Sequence, residues 1–205
     1  MSEERKLVSL LFADVVDSTA MGARHDAELV RTVMARYFAR MKDVAETHGG
    51  TVEKFIGDAV MVVFGVPQLH EDDAERAVRA ALAMRDAVAD LDHDSSVALA
   101  LRVGVNSGEV VAGVGDDRQF LVTGDAVNVA ARLQDLSKAL DCKVVVADEV
   151  CQRAGIPDDA LTRTRIEIRG HAEPMTVRTE KDPTVLASLL APTPIDPLSE
   201  ASSET

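Results

Sequence analysis

Two aspartates stand where a strand ends and where a hairpin turns. Asp14 closes the apolar run from Leu7 to Ala13, and Asp58 follows Gly57 in a tight turn between two strand-like runs. If the first strand lies beside the hairpin, both carboxylates reach one sheet edge. Paired hard oxygens of that kind suit Mg2+ or Mn2+, above all where substrate phosphates complete the coordination. Each aspartate alone also reads as an ordinary turn or cap residue. Next to Asp14 runs Val15-Val16-Asp17-Ser18-Thr19, whose backbone N–H groups could hold a polyphosphate, although the loop has no glycine and no Walker lysine. Ser18 or Thr19 equally reads as a plain helix-entry residue. Asn128 and Arg132 lie four apart on a helical stretch and so share one face. Asn128 interrupts a run of small apolar residues. A structural asparagine and a surface ion pair are the plainer readings of these two.

These residues need a scaffold, and the apolar spacing supplies one. Leu7 to Ala13 reads as a strand buried on both faces. Val30, Val33, Met34, Tyr37, Phe38, Met41, Val44 and Ala45 recur at helical spacing, up to the stop at Gly49-Gly50. Thr51 to Ile56 and Ala59 to Phe64 form a hairpin, and Glu71 to Leu91 is a second long helix. Val97 to Val105 and Val110 to Val114 read as two strands parted by the turn-type residues Asn106-Ser107-Gly108-Glu109. A short strand at Phe120 to Thr123, a helix at Asp125 to Leu140, strands at Lys143 to Ala147 and Arg163 to Arg169, and a short helix near Asp148 complete the pattern. The order β-α-β-β-α-β predicts an α+β fold with a ferredoxin-like core and added elements.

Composition narrows the partners. The chain has 205 residues, with 22 basic and 35 acidic, for a net charge of −13. That balance argues against nucleic acid as the main partner. No apolar run approaches the ~20 residues of a membrane span, and the charged N-terminus lacks a signal-peptide core. A cytoplasmic location follows as the expectation. Cys142 and Cys151 read as reduced thiols without a metal or redox role. His25, His48, His70 and His93 read as surface or capping residues. Residues 1–181 form the expected domain. Residues 182–205 hold four of the seven prolines, four acids and no Lys or Arg, the profile of a disordered tail or linker.

Four ordered blocks carry a resemblance. They are Leu11 to Thr19 (LFADVVDST), Val52 to Ala59 (VEKFIGDA), Leu101 to Gly108 (LRVGVNSG) and Thr123 to Leu133 (TGDAVNVAARL). In order and spacing they resemble the class III adenylyl/guanylyl cyclase catalytic domain of bacterial type, over about residues 5 to 180. The resemblance implies conversion of ATP to 3′,5′-cyclic AMP and pyrophosphate, with two Mg2+ or Mn2+ ions per site. It implies that Asp14, Asp58 and the carbonyl of Val15 hold the metals, and that Val16, Asp17, Ser18 and Thr19 flank the triphosphate. Asn128 would orient the ribose and Arg132 would stabilise the five-coordinate phosphorus. Lys54 matches the lysine that selects adenine, where guanylyl cyclases carry Glu.

Three positions depart from the family pattern. Leu121 stands where Asp or Thr accepts from the adenine amino group, and leucine cannot accept. Thr123, two residues along the same strand, points to the same face, and it or a nearby backbone carbonyl is the expected substitute. Asp17 stands where glycine is common. The C-terminal phosphate-binding lysine is absent, with Arg169 as first stand-in and His171 as second. The resemblance also implies a homodimer. One subunit would give the metal aspartates, the other Lys54, Leu121, Asn128 and Arg132, with Gly113 to Phe120 as the arm reaching across. Two acidic subunits repel, so weak dimerisation at low salt is expected. A catalytically weak or silent nucleotide-binding module, a cyclase of relaxed purine choice, and a regulatory region beyond residue 205 or in trans are the alternatives. A diguanylate cyclase is disfavoured, because Gly57-Asp58-Ala59-Val60 lacks its hairpin signature.

Overall fold

The structure, a computed structural model, describes residues 3–93, 97–114, 120–169 and 173–179. The elements run β1 (Glu4–Val15), α1 (Ser18–Arg24), α2 (Ala27–Thr47), β2 (Thr51–Ile56), β3 (Ala59–Phe64), α3 (Asp73–His93), β4 (Leu101–Val114) and β5 (Phe120–Thr123). They continue with α4 (Asp125–Leu136), β6 (Val144–Ala147), α5 (Asp148–Arg153), β7 (Thr162–Ile166) and β8 (Met175–Thr179). The strands make one sheet in the order β2-β3-β1-β4-β6-β8-β7, with β5 added on β4. Its first four strands are antiparallel neighbours, the expected α+β core. The β4–β6 pair is parallel. One line of paired residues crosses the sheet from Lys54 through Met61, Phe12, Gly104 and Val145 to Thr179.

Each face of the sheet buries its own set of side chains. On β1, Leu11, Ala13 and Val15 pack against α2 and α3, which present Val33, Tyr37, Met41, Ala77, Val78 and Ala81 at helical spacing. Leu10 and Phe12 face the other way, against Met61, Val63, Val122 and the small residues Ala126 and Ala130 of α4. Helix α2 starts where Asp26 accepts a 2.8 Å hydrogen bond from the Glu28 amide. His48 ends it, its Nδ1 lying 2.8 Å from the Val44 carbonyl, which is the capping role expected for it.

Three expectations are corrected. Asn106 to Glu109 is not a turn. Residues Leu101 to Val114 form one strand, paired with β1 from Leu101↔Val15 to Ala112↔Glu4. The turn-type residues serve side-chain needs instead. Asn106 Nδ2 donates to the Ala126 carbonyl at 3.1 Å, and Ser107 Oγ meets Ser9 Oγ at 2.8 Å. At Gly108 a β-carbon would lie 2.6 Å from that of Ala126. Residues Ser18–Arg24 form a separate short helix before α2. Met175–Thr179 adds a strand that apolar spacing does not reveal, because a buried arginine, Arg178, follows its central Val177.

Arg178 is fully buried, and its charge is answered from three sides. Nε donates to Asp148 at 2.5 Å and Nη2 to Asp158 at 2.7 Å. Nη1 donates to the carbonyls of Ile156 and Pro157 at 3.0 and 2.8 Å. Arg163 adds a second cation to Asp148 at 2.7 Å. Burial pushes the nearby Cys151 thiol up to about 12, which leaves it a structural residue. No helix among the described residues is long and apolar enough to cross a membrane.

Candidate active site

Asp14 and Asp58 meet. The ladder pairs Ala13 with Val60, and the hairpin closes from Ile56 to Ala59 through Gly57, whose φ of 64° suits glycine. Asp58 therefore stands beside the end of β1. The Asp14 carboxyl is pushed up to about 6, first by burial, then by the charge of Asp58 and a hydrogen bond shared with it. The Val15 amide opposes the rise and Asp135 adds slightly to it. The crowding that raises Asp14 is relieved when a cation sits between the carboxylates. A hard divalent ion fits this donor set. Among the described residues no group of three or more His, Cys, Asp or Glu completes a cage. Such an ion would draw its remaining oxygens from backbone, water or substrate phosphates. The neighbouring Tyr37 is completely buried, and its hydroxyl has no hydrogen-bond partner among the described residues. Burial, with the charges of Asp14 and Asp58, holds that phenol far above its usual range.

The loop after β1 is anchored by a 2.8 Å bond from the Val16 amide to the Ala100 carbonyl. Asp17 follows in the left-handed conformation, with φ 53° and ψ 34°, and caps no helix amide with its side chain. Glycine takes that conformation freely; aspartate is among the few other residues that tolerate it. The Asp17 side chain is exposed, Ser18 is half-buried and Thr19 is exposed at the start of α1. Beside Val16 opens a cavity of about 560 Å³ lined by Arg85, Arg102, Lys138 and Lys143, with Asp141 as the only acid among the described residues that line it. This concentration of cations in an acidic chain escaped the sequence reading. Its one signal there is Arg102, inside the third block; Arg102 pairs with Asp14 across the β1–β4 ladder.

Lys54 lies on β2, exposed, and β5 touches that strand within the same chain. On β5, Leu121 and Thr123 are exposed while Val122 between them is 3% exposed, as strand alternation demands. Phe55, Ile56 and Leu121, on these two strands, are three of the five exposed large hydrophobic residues among those described. Phe55 is partly covered, its ring meeting Phe38 edge-on at 4.8 Å, whereas Ile56 and Leu121 are exposed on the strands that carry the base-reading candidates.

Helix α4 buries Ala126, Val129, Ala130 and Leu133, leaving Asn128 exposed and Arg132 half-buried on the outer face. Asn128 is therefore no buried structural residue. The Arg132 guanidinium donates to the Arg169 backbone carbonyl, which ties α4 to the segment after β7. Arg169 itself is exposed, just past β7. Among the described residues no hydrogen bond or ion pair joins Asn128 or Arg132 to Asp14 or Asp58. His171, most of the arm between Gly113 and Phe120, and residues 182–205 lie outside the described residues.

Known proteins share this fold. The family described as "Adenylate and Guanylate cyclase catalytic domain" matches residues 1–180. An adenylate cyclase of Mycobacterium tuberculosis is 36% identical over 167 residues, covering 79% of this chain and 37% of that protein. The chain thus spans about a third of the length of the curated relatives it matches. The solved guanylyl cyclase Cya2 superposes with a TM-score of 0.78 at 26% identity, covering 87% of this chain and 93% of that one. The adenylyl cyclase CyaB from P. aeruginosa gives 0.76 at 26% identity, covering 89% and 97%. By sequence and by fold, the chain belongs to the adenylate and guanylate cyclase catalytic domain family.

Proposed function

We propose that this domain converts ATP to 3′,5′-cyclic AMP and pyrophosphate as a homodimer with two shared sites. The observation that carries the reading is the Asp14–Asp58 pair, a cation-seeking site at the sheet edge beside a loop flanked by arginines and lysines. In this reading the ribose 3′-oxygen forms a bond to the α-phosphorus. The bond from that phosphorus to the bridging oxygen of the β-phosphate breaks, pyrophosphate leaves, and the hydroxyl proton passes to solvent. Divalent ions on Asp14, Asp58 and the Val15 carbonyl would supply charge neutralisation and a more acidic 3′-hydroxyl. Residues Val16 to Thr19 flank the phosphates. Asn128 orients the ribose, and Arg132, with Arg169 beside it, faces the charge that grows on phosphorus. Lys54 donates to the purine, and Thr123 stands in for the acceptor missing at Leu121.

Two features support a shared site. No hydrogen bond or ion pair joins Asn128 or Arg132 to the aspartate pair among the described residues, and Ile56 and Leu121 stay exposed on β2 and β5. A cyclase of relaxed purine choice is the second reading, favoured by the exposed and non-accepting Leu121. The test is product formation from ATP and from GTP, with Mn2+ and with Mg2+, beside Asp58→Ala. Cyclic AMP that is lost in the variant supports the proposal. No product from a confirmed dimer refutes it.

A further inference from the structure

Glu53 is a carboxylate in an unusual place. Its side chain is 1% exposed, and neither oxygen has a hydrogen-bond partner among the described residues. The register explains how it got there. Val52 pairs with Val62 and Lys54 with Met61, so Glu53 is the extra residue of a β-bulge. In a regular strand, neighbours point to opposite faces; a bulge re-aims them. Here it lets adjacent residues meet, and Lys54 Nζ lies 3.1 Å from Glu53 Oε2. The carboxylate stays inside while the Lys54 side chain is 46% exposed. A buried charge without hydrogen bonds is costly, and Lys54 is the group that offsets it.

We propose that Glu53 is a positioning residue that pins the Lys54 ammonium and so makes it selective for adenine over guanine. This rests on the reading of Lys54 as the purine-contacting lysine. Adenine offers an acceptor at N1. Guanine offers a donor at N1 and an acceptor at O6. A freely swinging ammonium serves either base, at N1 of one or O6 of the other. An ammonium held at the N1 position serves adenine and meets the N1–H of guanine donor to donor. With Leu121 unable to read the adenine amino group, restraint on Lys54 carries more of the choice. Glu53 does not touch the base, because its oxygens are enclosed.

The experiment measures binding of α,β-methylene ATP and α,β-methylene GTP by calorimetry. It compares the wild type, Glu53→Gln, Lys54→Ala and the double variant, with thermal melting alongside. The wild type is expected to prefer the ATP analogue. Glu53→Gln lowers that preference about tenfold, mainly by gaining affinity for the GTP analogue. Its melting temperature stays level or rises, since a buried charge is removed and the lysine left behind is exposed. Adding Glu53→Gln to Lys54→Ala changes the preference no further. An unchanged preference in folded Glu53→Gln, an equal shift without Lys54, or a wild type with no preference overturns the inference. Product assays on the wild type run separately and judge the proposed reaction. A chain that discriminates through Glu53 without turning over refutes catalysis and leaves the pinning intact.

Discussion

Gly104 on β4 lies so close beneath α4 that a β-carbon there would sit 2.3 Å from the Gln134 amide nitrogen and 2.5 Å from the Ala130 carbonyl oxygen. Both are backbone atoms, so no side chain can swing aside. Gly104→Ala is expected to lift α4 off the sheet and to cost about 3 kcal/mol of stability. Asn128 and Arg132 ride on that helix, so activity should fall further than stability predicts. Denaturant unfolding and turnover, measured together, check both parts.

Asp58→Asn separates stability from function. It removes the like charge beside Asp14, so without metal the variant should be about 1 kcal/mol more stable than the wild type. Adding Mn2+ should raise the melting temperature of the wild type, by about 2.7 kcal/mol of stabilisation at a hundredfold excess over Kd. The variant should lose most of that response along with its activity. Melting curves with and without Mn2+ give the answer.

Mixing two inactive chains tests whether the site is shared. Asp58→Ala and Arg132→Ala homodimers should both be silent. Random exchange makes half the dimers mixed, and each mixed dimer holds one intact site. Activity should recover to about a quarter of the wild-type level. No recovery after confirmed exchange would show that each site lies within a single chain.

Asp17→Gly should leave stability within about 1 kcal/mol, because relief of the left-handed backbone offsets the greater freedom of an unfolded glycine. It also removes a negative charge beside the loop assigned to the triphosphate. KM for ATP should fall severalfold at low ionic strength, and the gain should shrink as salt is added. Steady-state kinetics at two salt concentrations decide it.

Asp148 provides a pH-dependent contribution away from the site. Burial, the largest influence, raises its pKa, but the hydrogen bond and charge of Arg178, with Arg163, outweigh it and hold the group below the usual 3.8. A depressed carboxylate contributes stability above its ordinary pKa, and loses it as pH falls through the depressed value. Asp148→Asn should therefore cost about 3 kcal/mol at pH 7, by leaving the buried Arg178 short of a partner. The gap from the wild type should close below pH 3.8. Urea titrations at neutral and acid pH measure both ends.

The long periodic elements were legible because burial leaves its period in the sequence. Val33, Tyr37, Met41 and Val44 announce α2, and Leu7 to Ala13 announces the centre of β1. Reading failed where a polar residue has a buried task. Asn106 and Ser107 look like a turn, yet they bond across to α4 and β1 from inside a strand. Arg178 breaks the apolar pattern of β8 because its partners come from α5 and the loop after it. The site followed the same rule. Asp14 and Asp58 were visible as ends of elements, and the ordered blocks named Lys54, Asn128 and Arg132. Glu53 drew no reading of its own, since nothing in single-letter order reveals the bulge that buries it.

The line of residues from Lys54 across to Thr179 bears on how anything fused to this domain would address it. The first and last described strands meet the sheet at different places. Glu4 begins β1 ten residues before Asp14, about 34 Å away along the strand. Thr179 ends β8 level with Lys54, five strand spacings or about 24 Å across the sheet, on the row that passes through Gly104 under α4. A tether at the amino end pulls along β1 from its remote tip. A load on Thr179 would enter at the far end of the row that holds Lys54, the residue assigned to reading the base.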